Sequence, residues 1–152
     1  MEGRFYIWKV SAPHIAEHFL LGLGPGGFAA SFPAWETQYW RDIPAESNRK
    51  FAGVEDHAHN DYLEIFADYG AVGGISFLAV LLTFLWGAAR ERYSRDPLSA
   101  GASTGIVALA AVALVDFPLM RPAEAFLFWS LMAIGLHHRC QTAADQHADC
   151  GK

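Results

Sequence analysis

The residues best equipped for chemistry lie in one stretch, HAHNDYLEIFADYG, from His57 to Gly70. His57 and His59 stand two apart, and His59 adjoins Asn60 and Asp61. A histidine titrates near neutrality and can take a proton from an attacking hydroxyl. A neighbouring carboxylate can fix its tautomer, and Glu55, Asp56 and Asp61 are the candidates. The same residues allow two other readings. A polar loop could use Asn60 or Asp61 only to cap the following helix. His57 and His59 could bind a metal with Asp61 or Glu64 as third ligand, although an HxH pair alone is a weak signal.

Other residues add chemistry around this stretch. Arg4 precedes Trp8 by one helical turn, so the two share a face. A guanidinium there suits a phosphate oxygen, or it snorkels along apolar surface. Asp116 ends an apolar run and reads as a helix-end residue reaching water, or as a functional acid of the kind rare in apolar segments. His137, His138, Cys140, His147 and Cys150 gather in the tail at a spacing that fits no zinc pattern, which leaves a solvated tail as the simpler reading. GLGPGGF lacks the Lys and Ser/Thr of a phosphate loop, so Gly22, Gly24, Gly26 and Gly27 read as turn formers.

These residues must be positioned by the rest of the 152-residue chain, which is 53% hydrophobic and 18% charged. Soluble domains average about 25% charged. Residues 1–70 are mixed and polar, whereas residues 71–136 are nearly free of charge outside RERYSRDP. Such asymmetry predicts an all-α, polytopic membrane protein: a water-exposed loop segment over 1–70, about three spans near 71–89, 100–117 and 123–138, and a tail from 139 to 152. The first run, 71–89, is roughly 28 Å long at 1.5 Å per residue, close to the hydrocarbon thickness of about 30 Å. The second run, GASTGIVALAAVALV, is rich in the small residues that let helices approach closely. Arg90, Arg92 and Arg95 place RERYSRDP in the cytoplasm and the HAHN segment outside. A net charge of −5 with no basic patch argues against nucleic acid. No signal peptide follows Met1, so the chain reads as the C-terminal piece of a longer protein.

Upstream, RFYIWKVSAPHIAEHFL sets Phe5, Trp8, Ala12, Ile15 and Phe19 at helical intervals, with Pro13 bending the helix. SFPAWETQYWRDIPAESNRKFAGVEDHA reads as a long irregular stretch whose aromatics suit a membrane interface or ordinary packing beneath a loop. Gly70, Gly73 and Gly74 allow a bend or a close helix contact.

The order GRFYIW, HFLLGLGPGGF, HAHNDYLEIFADYGAVGG and ALVDFPLMRPAEAFLFW resembles the O-antigen ligase and polymerase superfamily of bacterial membrane glycosyltransferases, over nearly the whole chain to Leu136. The chain departs from the family at Phe19, where many members carry proline. The resemblance implies a multi-pass inner-membrane enzyme with a periplasmic active loop. It would transfer a glycan from undecaprenyl pyrophosphate, within membrane lipid, to a hydroxyl of the lipid A core, of another repeat unit or of a protein. It maps His59 onto the family's general base and Arg4 onto its pyrophosphate-binding arginine. Asn60 and Trp8 are the further substrate-binding candidates, His57 and Asp61 are supporting, and no metal or other cofactor is required. Outside that family, two readings compete: a metal-dependent hydrolase using His57, His59 and Asp61, and a non-catalytic small membrane protein that binds a partner through its polar loop.

Overall fold

In a computed structural model the described residues are 2–41, 57–90 and 97–150, with side chains over 3–41, 57–90 and 97–141. They form α1 (Glu2–Glu17), α2 (Gly27–Arg41), α3 (Asp61–Arg90), α4 (Pro97–Val112), a 3₁₀ turn (Pro118–Met120) and α5 (Pro122–Cys150), with no strand among them. Glu55, Asp56, Arg49, Lys50, Arg92 and Arg95 lie outside the described residues. The chain divides into two compact units, Met1–Phe77 with Leu114–Phe117, and Leu78–Ala113 with Pro118–Lys152.

The all-α expectation holds, but the count of spans does not. Among the described residues, only α3 is long and apolar enough to cross a membrane. The second expected span, 100–117, closes as a 16-residue helix, Pro97–Val112, about 24 Å long at 1.5 Å per residue. The third, 123–138, begins a helix of 29 residues, but its apolar run gives way to His137, His138, Arg139 and Gln141 within four turns. The polytopic, multi-pass inner-membrane arrangement expected from composition is therefore corrected to one candidate span. The alternation of loop sides drawn from three spans falls with it.

The first unit is built on α1 and α2. Ile7, Val10, Phe28, Phe32, Trp35, Ala58 and Ala67 form its core. Helix α1 is where the spacing placed it, but with a different face inward: Ile7 and Val10 are buried, while Phe5 and Phe19 are exposed. The stretch read as irregular is helical as far as Arg41, with Pro33 inside α2. Tyr6 of α1 donates to Glu36 of α2 at 2.8 Å. Burial first, and then that carboxylate, push the phenol above its ordinary pKa, so it stays a donor.

The glycines of GLGPGGF do more than turn the chain. Gly22, Gly24 and Gly26 all take positive φ, a region glycine enters without steric cost. The turn then enters the hydrogen-bond ladder of α3. Gly70 is non-helical at φ 64°, ψ −166°. A regular helix would pair the Ala71 and Val72 amides with the Ala67 and Asp68 carbonyls. Here Ala71 donates to Phe19 at 2.7 Å and Val72 to Leu20 at 3.3 Å. The carbonyls of Ala67 and Asp68 accept from Leu23 and Gly24 at 2.9 and 2.8 Å. The helix breaks without leaving these backbone groups unmet, as burial demands.

Asp68 completes the join. Its carboxylate accepts from the Gly26 amide at 2.7 Å and the Phe28 amide at 2.8 Å. It thereby caps the N-terminus of α2 from a distant helix, where such a cap also meets the helix dipole favourably. Asp68→Asn places an NH2 group against one of those two donors. It should lower stability by about 1–3 kcal/mol, the cost of an unsatisfied buried donor. Urea unfolding followed by tryptophan fluorescence, which reports Trp35 in the same core, measures it.

In the second unit α4 packs on α5. Their close approach uses Gly105 of the small-residue run, where a Cβ would press into Leu131, and a Cβ on Gly135 of α5 would meet the ring of Phe84 in α3. Arg139 is buried there. It donates to the Phe84 carbonyl at 2.9 Å and to Ser103 Oγ at 3.0 Å, with its guanidinium over the Phe84 ring.

Candidate active site

The candidate site lies where His57–Asn60 leads into α3. Asn60 is the cap: its side-chain oxygen accepts from the Leu63 amide at 3.0 Å, and its carbonyl accepts from Glu64 at 3.0 Å. Its amide nitrogen donates to the Leu114 carbonyl at 3.0 Å. That bond ties Leu114–Phe117 to the histidine segment. Trp8 donates its indole N–H to the Ala58 carbonyl at 2.8 Å, which fastens α1 to the residue between the two histidines. Arg4 stands half-buried one turn before Trp8 on the same helix.

His59 takes a left-handed backbone, φ 51°, the only non-glycine residue to do so among those described. Such conformations in bulky residues persist where the surroundings impose them, and they cluster at functional sites. The ring of His59 meets Phe117 edge-on at 5.0 Å. Its Nδ1 stands 3.7 Å from the Asp116 carboxylate. Asp116, read from sequence as a helix-end residue, is thus the acid that faces this histidine.

His57 has a carboxylate of its own. Its Nδ1 is 2.8 Å from Glu64 Oε1, while Glu64 Oε2 accepts the Ala58 amide at 2.9 Å. Its ring stacks on Phe117 at 4.3 Å. The two imidazoles therefore flank one aromatic ring rather than converge on a point. Asp61, offered as a partner of His59 or as a metal ligand, is fully buried at the first position of α3. Among the described residues no three His, Cys, Asp or Glu side chains are placed to hold a metal ion. In the tail, His137 meets Gln141 at 2.9 Å and Cys140 is exposed; the side chains of His147 and Cys150 lie outside the described residues.

The site is thus a pair of histidine–carboxylate contacts just ahead of α3, with a tryptophan tie to a helix that carries an arginine. Residues 1–78 match the O-antigen ligase family, and the chain belongs to that family. Its members' link to glycans and lipid-linked substrates in general comes with that membership. The match corrects the expected extent of the likeness: it covers the N-terminal half of this chain, stopping short of Leu136, and does not mark the chain as the C-terminal portion of a member. Three of the four elements, from Arg4 through His59 to Gly74, fall inside it, and ALVDFPLMRPAEAFLFW, which carries Asp116 and Phe117, falls outside. The helices beyond are alanine- and leucine-rich, a composition common to many unrelated apolar helices. No curated protein and no solved structure matches the chain.

Proposed function

We propose that this chain carries the proton-handling part of a glycosyltransferase site, which moves a glycan from an undecaprenyl pyrophosphate carrier to an acceptor hydroxyl. The observation that carries the reading is His59, which lies inside the segment that matches the family and is held in a left-handed backbone beside Phe117 and the Asp116 carboxylate. An acceptor hydroxyl is a poor nucleophile, and a positioned base is worth typically 10²–10⁴-fold. His59 takes the proton as the oxygen attacks the anomeric carbon. Asp116 positions the ring and balances the imidazolium that forms. Arg4 meets the diphosphate, for which a guanidinium fork is suited. Asn60 and Trp8 hold the loop in register through Leu114 and Ala58.

The lipid A core is one acceptor that this chemistry fits. A polymerase that elongates another repeat unit would use the same groups in the same order, so the acceptor must be tested directly. Purified protein in lipid should transfer glycan from a polyprenyl diphosphate donor, with lipid A core, repeat-unit glycan and Ser/Thr peptide offered in parallel. Transfer should persist in a chelator, because guanidinium supplies the countercharge. Activity lost on chelation and restored by a divalent metal would remove the metal-free mechanism.

A further inference from the structure

We infer that the turn Phe19–Leu20–Leu21 is a membrane contact of its own, its side chains entering the acyl region of a lipid bilayer beside α3, independently of the glycan-transfer reading above. Exposure is the starting point. Phe19, Leu20 and Leu21 are 57%, 67% and 77% exposed. They form a run of three apolar side chains at a turn, where water favours glycine, proline and short polar residues. Such a run in water is a liability unless something covers it. No residue from Phe19 to Trp35 carries a charge that would hold the turn in water.

The neighbouring surface says what covers it. The bonds from the Ala71 amide to the Phe19 carbonyl and from the Val72 amide to the Leu20 carbonyl set the turn against the residues of α3 just beyond Gly70. There the candidate span turns Val72 and Ile75 outward, both well exposed. The two segments change character at the level of those bonds. Glu17 and His18, exposed and polar, precede the turn. Exposed Tyr69 precedes the apolar part of α3, an amphipathic side chain of the kind that collects at lipid–water boundaries. The backbone also suits lipid, where irregular chain is tolerated only if protein meets its polar groups. The Phe19 and Leu20 carbonyls accept from α3, the Gly22 amide donates to His18 at 2.8 Å, and the Leu23 and Gly24 amides donate to α3. On α3 the exposed Ser76 hydroxyl donates to the Val72 carbonyl at 2.7 Å. A protein partner would bring polar groups of its own, so a surface whose bonds are already closed favours lipid. A turn held in the bilayer beside α3 also fixes the height of the histidine segment, which stands above the lipid edge by at most the length of Asp61–Tyr69, roughly 14 Å at 1.5 Å per residue.

The full chain reconstituted in phosphatidylcholine vesicles tests this, with Cys140→Ser and Cys150→Ser removing the native thiols. Leu21→Cys, Val72→Cys and Glu17→Cys, all at exposed positions, each take an environment-sensitive fluorophore in turn. The labels at positions 21 and 72 should shift to the blue, lose intensity to lipids brominated on the acyl chain, and be protected from aqueous iodide. The label at position 17 should be quenched by iodide and unaffected by brominated lipid. A label at position 21 that stays open to iodide overturns the inference. So does one protected from iodide yet untouched by brominated lipid, since a second copy of this chain then covers the turn. Iodide quenching at position 72 would take α3 out of the bilayer and overturn the lipid contact with it.

Discussion

Replacing His59 by alanine should abolish glycan transfer while leaving the amount of folded protein unchanged. The loss expected is at least the 10²–10⁴-fold contribution of a general base. The side chain is half-buried and its contacts are peripheral to the Ile7–Phe28–Phe32 core, so the fold should tolerate its removal. The backbone supplies the control. At φ 51° asparagine is tolerated better than most residues, because it enters the left-handed region readily. His59→Asn should therefore be at least as stable as His59→Ala and equally inactive. If the asparagine variant transfers glycan at the normal rate, residue 59 is held for its backbone conformation and is not the base.

The second large effect concerns stability. Gly70→Ala should prevent the first unit from folding, or lower its unfolding midpoint severely. Two penalties add. A left-handed alanine costs of order 1–3 kcal/mol. A Cβ at this position would also collide with the Leu20 carbonyl and the Gly22 amide. Both are backbone groups fixed by the bonds from Phe19–Gly24 to α3, so neither can swing aside. The sum should exceed about 3 kcal/mol, within the range reserved for steric and backbone failures. Gly101→Ala in α4 is the contrast, since a Cβ there meets nothing within 4 Å. It should be neutral or stabilise by roughly 0.5–1 kcal/mol, as expected for glycine to alanine inside a helix. Thermal unfolding of both variants checks the pair, and similar midpoints would show that the Gly70 contact is not what holds the turn to α3.

The sequence was most legible where one local rule settled the outcome. Helical spacing located α1, the Asn60–Asp61 pair announced the start of α3, and the glycines of GLGPGGF announced a turn. Legibility failed where tertiary partners decided. The inward face of α1 is set by α2, and α2 itself was obscured by Pro33 and by its mixture of aromatic and polar residues. The acid facing His59 is Asp116, far along the chain; the nearby candidates Glu55, Asp56 and Asp61 drew attention because spacing can see only neighbours. Glu64, named from sequence only as a possible metal ligand, lies one turn beyond Asn60, where a side chain can reach back over the residues before a helix, so its contact with His57 was legible in principle. Asp68 gave no signal of its task, because capping a separate helix leaves no trace in local pattern. The number of spans is not legible for a different reason: apolar composition carries no mark of where each helix begins and ends, and α4 closes at Val112.

The bonds that Phe19–Gly24 make with α3 have a practical consequence for anyone cutting this protein into pieces. A shortened chain starting at Asp61 would keep every residue of α3 yet lose the partners of the Ala67 and Asp68 carbonyls and of the Ala71 and Val72 amides. Its helix would have to rewind through Gly70, which is free to adopt ordinary helical angles once the clasp is gone. Such a fragment would present a straight rod instead of the native bent one, and antibodies or binders raised against it would be expected to miss the intact protein at that bend.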